Sequence, residues 1–328
     1  MSLFHVGLAR RPWQHGKLFY DNNAQTADAL PAVFGMQSTG NQQRESKKHA
    51  MKIFDFRFRP NTRAILDGIA KSTMFKEWSD ANNFDQFPAE TLPQIVEGLK
   101  ARGVEGCVVT GRDCSTTYGF PDNNASVLEF CQAFPEMFHG FWGIDPHKGM
   151  DAVRTIEHVV KEHGMNGVAL DPYLAHIPAS AARFYPIYAK CCELNVPVFI
   201  TMAPPPNVQG ALIEYTDPRD VEKAAHDFPE LNFIMSHAGY PFVEEAIFVV
   251  MRNKNVYMDL SEYELAPMAD RYVEALNKGW IDKKVVFASA HPFVEQSKAI
   301  AIYNEMPISD EVRANVFWDN AARLLKLA

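Results

Sequence analysis

The sequence predicts a (β/α)8 TIM barrel, an α/β fold, and three observations predict it. From Met51 onward, strand-like and helix-like patterns alternate about eight times. The strand patterns are short and apolar throughout, as strands buried on both faces are. The length of 328 residues suits one such barrel. A doubly wound sheet is the competitor, but no glycine-rich phosphate loop follows the first strand.

Residues 1–50 precede the pattern and read as a weakly ordered N-terminal extension, with the barrel over 51–328. They are rich in Gln, Asn, Ser and His, and no apolar leader segment follows the first methionine. The first strand is Ile53-Phe54-Asp55-Phe56-Arg57-Phe58-Arg59-Pro60, alternating apolar and polar until proline stops it. Arg57 and Arg59 lie two apart, so a strand points both to one face. There they repel each other unless an anion, a carboxylate or bulk water separates them.

A helix over 90–101 leads to a strand over 104–110, with Arg112 just past its end. A helix over 124–134 and a strand over 137–144 follow, the strand ending at Asp145-Pro146. The helix over 151–163 stops at Gly164. Strand 166–170 ends at Asp171-Pro172, and helix 181–194 leads to strand 196–201, ending at Thr201. Asp217 caps the next helix, with Pro218 at its first position. Strand 231–236 runs into His237-Ala238-Gly239. Helix 242–251, strand 256–260 and helix 266–277 come next. Strand 284–288 is followed by Ser289-Ala290-His291-Pro292 and two closing helices.

A composition of 47% hydrophobic and 22% charged residues is that of a globular domain. No apolar run approaches the roughly 20 residues that span a bilayer. A formal charge of -8 argues against nucleic acid or an anionic membrane as partner. The five cysteines (Cys107, Cys114, Cys131, Cys191 and Cys192) include no CxxC pair, which suits reduced thiols in a cytoplasmic setting.

A barrel carries its working residues just past the C-terminal ends of its strands. Those positions hold Arg57 and Arg59, Arg112, Asp145, Asp171, Thr201, His237, Asp259 with Ser261, and Ser289 with His291. Asp145 and Asp171 precede proline, so each is a turn residue as readily as a functional carboxylate. Asp259 lies inside its strand and suits a buried partner for an arginine. Thr201 also fits packing, and His291 fits a surface position before a helix. His237, straight off an apolar strand, is the strongest single candidate. The aromatics Phe56, Phe58, Tyr173, Tyr240 and Tyr263 suit an aromatic or unsaturated acid and equally suit core filling.

From Met51 to the end the chain resembles the amidohydrolase-related family, the branch that includes aminocarboxymuconate semialdehyde and γ-resorcylate decarboxylases. Ile53 to Pro60 resembles its opening Asp-x-His-x-His-Pro strand, and residues 195–201 a strand that normally ends in histidine. Ser236-His237-Ala238-Gly239 resembles its His-x-Gly element, and residues 287–292 its Phe-Gly-Ser-Asp-Tyr-Pro. Asn320-Ala321-Ala322-Arg323-Leu324-Leu325 resembles its closing Asn-Ala-x-Arg-Leu-Leu.

The departures are as informative as the matches. The paired histidines are Arg57 and Arg59, the strand-five histidine is Thr201, and the last-strand aspartate is Ala290. Of the residues that the resemblance places around a metal, His237 alone remains. Arginine offers no lone pair and keeps its charge, so no metal or other cofactor is expected. The expected activity is a metal-independent hydrolase or carbon–carbon lyase, of decarboxylase or retro-Claisen type, acting on a small anionic substrate.

Arg57 and Arg59 clamp the anion, with Arg112, Thr201, Tyr173, Ser289 and His291 around it. His237 serves as general base, oriented by Asp171 or Asp259. A barrel that binds the anion without turnover is the alternative. The resemblance leaves room for a homo-oligomer.

Overall fold

The computed structural model describes residues 51–72, 76–81, 87–205 and 208–327. The expected extension over 1–50 lies outside the described residues. Eight parallel strands run in sequence order: β1 Ile53–Asp55, β2 Val104–Thr110, β3 Phe138–Gly143, β4 Gly167–Leu170, β5 Val198–Thr201, β6 Phe233–Ser236, β7 Val256–Asp259 and β8 Val285–Val286. Helices fill the crossovers, so the TIM barrel expected from the alternation is the fold.

Two apolar layers hold it. The barrel interior is filled by Phe54, Phe56, Val108, Phe141, Phe199, Ile234 and Val286. Phe56 stacks on Phe199 at 6.4 Å and meets the edge of Phe141 at 5.8 Å. A Cβ at Gly167 would sit 2.5 Å from the Phe141 ring, so only glycine lets β4 approach that ring. The larger core lies between the strands and the helices, and includes Leu99, Val109, Ile156, Leu170, Tyr188, Met235 and Phe287. Local signals act as read. Asp217 accepts the Arg219 N–H at 2.9 Å and starts helix Pro218–Asp227, while Gly164 ends helix Met150–His163 at φ +65°.

The first strand is shorter than its pattern. It ends at Asp55, because the Arg57 N–H turns to the Asp55 Oδ1 at 3.1 Å. Beyond it the backbone closes the barrel: Phe56 N–H donates to the Phe287 carbonyl, Phe58 N–H to Val108 and Arg59 N–H to His291. Phe56 and Phe58 therefore lie in the interior and under His291 rather than against a ligand. The last strand is also short. Phe287 N–H bonds the carbonyl of Val316, in a π-helical turn between the closing helices Asp310–Ala314 and Asn320–Leu325, which follow helix Gln296–Glu305.

Candidate active site

Past the strand ends, the first-strand arginines are both buried, Arg57 at 2% and Arg59 at 8% exposure. Arg57 Nη1 donates to Ser236 Oγ at 2.6 Å, and its guanidinium lies 5.5 Å from the Phe199 ring. Arg59 stands 5.4 Å over Phe293. Arg57 Nε and Arg59 Nη1 are buried with no hydrogen-bond partner among the described residues. Among the described residues no carboxylate lies within ion-pair distance of either. A buried donor left unmade costs about 1–3 kcal/mol, more when charged. Burial, then the charges of Arg57 and Arg112, holds Arg59 well below the usual arginine range.

Arg112 is in a different situation. Its Nε and Nη2 bond both oxygens of Asp171 at 3.0 Å, and Nη2 also reaches Tyr173 Oη at 3.3 Å. Burial pushes the Asp171 carboxyl up, but the charge and hydrogen bonds of Arg112, with the Thr201 hydroxyl, hold it below its ordinary value. Asp171 thus partners Arg112, across from β2 to β4, and is not the orienting partner of His237. Tyr173 and Thr201 complete this strut instead of standing apart at the mouth.

His237 is buried at φ +60°. Its Nδ1 lies 2.9 Å from the Ser261 carbonyl and 3.2 Å from Ser261 Oγ, whose proton goes to Asp259 Oδ1 at 2.5 Å. Both neighbours of Nδ1 are therefore acceptors, so Nδ1 carries the proton and Nε2 the lone pair. Burial, then the Arg57 charge, pushes the ring well below the ordinary histidine value, and it stays neutral. Asp259 does not touch the ring. It accepts the backbone N–H groups of His237 and Ser261 and so fixes the turn that carries the imidazole. Burial raises its carboxyl, against the pull of Arg57 and of the Ser261 and Ser236 hydroxyls.

Glu262, one residue beyond Ser261, escapes the strand-end reading. Its Oε2 lies 3.7 Å from His237 Nδ1, and its backbone sits at φ +69°. Burial raises its carboxyl to about 7, opposed by Arg57 and Arg59. The only signal in the sequence is its place in the loop after β7, where no periodicity marks it. A carboxyl raised in the fold contributes stability that is fully present below its unfolded value of 4.5 and lost as pH rises through 7. Glu262→Gln keeps the neutral shape. It is therefore expected to match the wild type in denaturant midpoint at about pH 4 and exceed it at about pH 8. The gain is on the order of 2 kcal/mol, allowing for solvent at a quarter-exposed side chain. An equal gap at both pH values would show that the charge is not the cause.

A family model described as amidohydrolase matches residues 113–327. The chain belongs to the amidohydrolase family. It is an enzyme of that superfamily. No curated protein matches its sequence. Among solved structures, the chain is similar to an uncharacterised TIM-barrel protein, Bb4693, of Bordetella bronchiseptica. The two are 25% identical over 84% of this chain and 98% of that one, with a TM-score of 0.68. A 2,6-dihydroxybenzoate decarboxylase complexed with 2,6-dihydroxybenzoate shares the fold at 15% identity, TM-score 0.65, over 84% and 100% of the chains. So does the 5-carboxyvanillate decarboxylase of Novosphingobium aromaticivorans, complexed with manganese and a nitrobenzoic acid, at 15% identity, TM-score 0.64, over 88% and 100%.

That last structure raises the question whether this amidohydrolase-family chain offers manganese a seat. Among the described residues no group of three or more His, Cys, Asp and Glu side chains is placed to hold a metal ion. Asp171 is clamped on Arg112, and His237, whose Nε2 keeps its lone pair, belongs to no such group of ligands. Asp259 holds a turn, and two cationic side chains that cannot ligate stand at the end of β1. The described residues at this mouth do not by themselves compose a divalent-metal site.

The remaining candidates serve the closure of the barrel. Ser289 N–H donates to Asp55 Oδ1 at 2.9 Å, and Ser289 Oγ accepts the His291 N–H at 3.0 Å. His291 stacks on Phe58 at 4.7 Å and its Nε2 is 3.2 Å from Asn61 Oδ1. It is half-buried rather than a surface histidine, and desolvation drives its pKa down to about 3. Asp145 accepts from Thr116 N–H and Oγ1 and from His147 N–H, so it organises its own turn. All five cysteines are free thiols.

Proposed function

We propose that this amidohydrolase-family enzyme works without a metal on a small carboxylate held between Arg57 and Arg59. One observation carries the reading: two buried guanidiniums present N–H groups that have no acceptor among the described residues. A carboxylate supplies that acceptor, and the low-dielectric mouth makes the contact strong. Hydrolysis and C–C cleavage of decarboxylase or retro-Claisen type both develop negative charge on an oxygen, which fixed cations stabilise.

His237 acts as the base through Nε2, since Nδ1–H is committed to Ser261. Glu262 stands beside it as a carboxyl able to hold or release a proton near neutrality. Asp259 positions this pair, and Arg112 with Asp171 and Tyr173 forms one wall. An aromatic acid is the favoured substrate class. Tyr240 and Tyr263 stack at 4.6 Å, and Tyr263 turns its edge to His237 at 5.7 Å. The structurally similar decarboxylases named above are themselves complexed with hydroxylated benzoates. A reduced, cytoplasmic setting agrees with the free thiols, and no helix among the described residues is long and apolar enough to cross a membrane.

The test is thermal stabilisation by a panel of carboxylates in the presence of chelator. Benzoate at 100 times its Kd is expected to add about 2.7 kcal/mol of stability. Metal analysis of the purified enzyme is expected to find no stoichiometric zinc or manganese, and chelation to leave turnover unchanged. Stabilisation that appears only with added manganese, or a metal at full occupancy, would overturn the proposal.

A further inference from the structure

Behind the clamp lies a buried polar relay that touches neither the mouth nor His237. Asp55 ends β1 and is fully buried. Its Oδ1 accepts the Arg57 N–H at 3.1 Å and, across the closure of the barrel, the Ser289 N–H at 2.9 Å. Its Oδ2 accepts from Gln296 Nε2 at 2.7 Å, and Gln296 Oε1 accepts from Arg102 Nε at 2.8 Å. Arg102 thereby decides which end of the Gln296 amide faces Asp55. On its other side, the Arg57 carbonyl accepts the Ala290 N–H at 3.0 Å.

We propose that Asp55 and Gln296 are positioning residues that set the Arg57 backbone, and through it the guanidinium, for anion binding. The proposal rests on the clamp described above.

The reasoning is geometric. The neighbouring N–H groups of Phe56 and Phe58 bond the carbonyls of Phe287, just past β8, and of Val108 in β2, as a barrel closure does without help. The Arg57 N–H points between them and finds a side chain. Where backbone carbonyls serve its neighbours, a carboxylate ties the Arg57 N–H to that of Ser289 across the closure, and burial pushes that carboxyl up to about 6, a strain on the empty fold. Among the described residues the Arg57 side chain has a single hydrogen bond, to Ser236, so its backbone decides where the guanidinium sits. A shift of about 1 Å at a remote support is enough to cost 10²-fold in a reaction.

The experiment uses the direction of the Asp55–Gln296 bond. Asp55→Asn keeps Oδ1 for the two N–H groups but sets its amide N–H against that of Gln296, which Arg102 holds in place. This variant is expected to bind benzoate about tenfold more weakly by calorimetry in chelator. Adding Gln296→Glu supplies an acceptor for the new N–H and keeps the bond from Arg102. The double variant is expected to return to within about threefold of wild type. In an Arg57→Met background, Asp55→Asn is expected to change affinity by less than about twofold, since the charged group it acts through is gone.

A purely structural role would lower Tm in Asp55→Asn while leaving the benzoate affinity unmoved, and would overturn the proposal. So would an undiminished effect in the Arg57→Met background, or failure of the double variant to recover. If the wild type binds no carboxylate, the proposed function itself fails, and this inference with it.

Discussion

Replacing Arg57 with methionine is expected to lower kcat/KM by about 10³-fold while leaving the empty protein as stable as before, or more so. The loss follows from removing a preorganised charged donor from a buried mouth. The retained stability follows from what Arg57 lacks. Its Nε has no partner, and no carboxylate pairs with it among the described residues. Replacing an uncompensated buried charge by an apolar side chain of similar reach removes a desolvation cost. Methionine can keep contact with Phe199, over which the guanidinium now lies. The Arg57 charge also draws down the carboxyls of Asp259 and Glu262, and without it both take up protons more readily and need no cation. Arg57→Lys keeps the charge and loses the planar fork, and is expected to fall between, about tenfold below wild type. Paired measurements of Tm with and without benzoate check this. A variant that melts several degrees lower yet still gains stability from benzoate would mean that Arg57 is a structural residue.

His237→Asn is expected to lower kcat by about 10²–10⁴-fold while benzoate affinity stays within about threefold. Asparagine suits the positive φ at this position better than alanine, so the turn survives. Its amide can still donate to the Ser261 carbonyl, but it offers no lone pair of useful basicity. The pH profile supplies a second readout. Burial and the Arg57 charge hold the imidazole far below 6.5, so His237 adds no inflection between pH 6 and 9. The inflection expected near 7 belongs to Glu262 and should vanish in Glu262→Gln. An inflection that survives Glu262→Gln would assign the titration elsewhere, and an unchanged kcat in His237→Asn would remove the histidine from the chemistry.

The positions of the candidate residues were legible because apolar periodicity marks where each strand stops, and a barrel exposes chemistry there. Their partners were not legible. Asp171 was expected beside His237 and lies instead on Arg112, two strands away in the closed sheet. Asp259 orients the backbone of His237 rather than its ring. Glu262 lies in an irregular turn at positive φ, where no pattern points to it. The first strand read too long because alternation continues through Arg59, while the Arg57 N–H leaves the ladder for a side-chain acceptor.

Residue order alone established the barrel, the mouth at the strand ends and the presence of two arginines where the resemblance puts histidines. These depend on local periodicity and on side-chain chemistry, and both survive in a linear chain. The fold decided which charges are neutralised. Arg112 meets a carboxylate across the barrel, and Arg57 and Arg59 do not, because ion pairing depends on distances of a few ångströms between groups far apart in sequence. Closing the ring brings the segment after β1 against the segment after β8 and buries both guanidiniums.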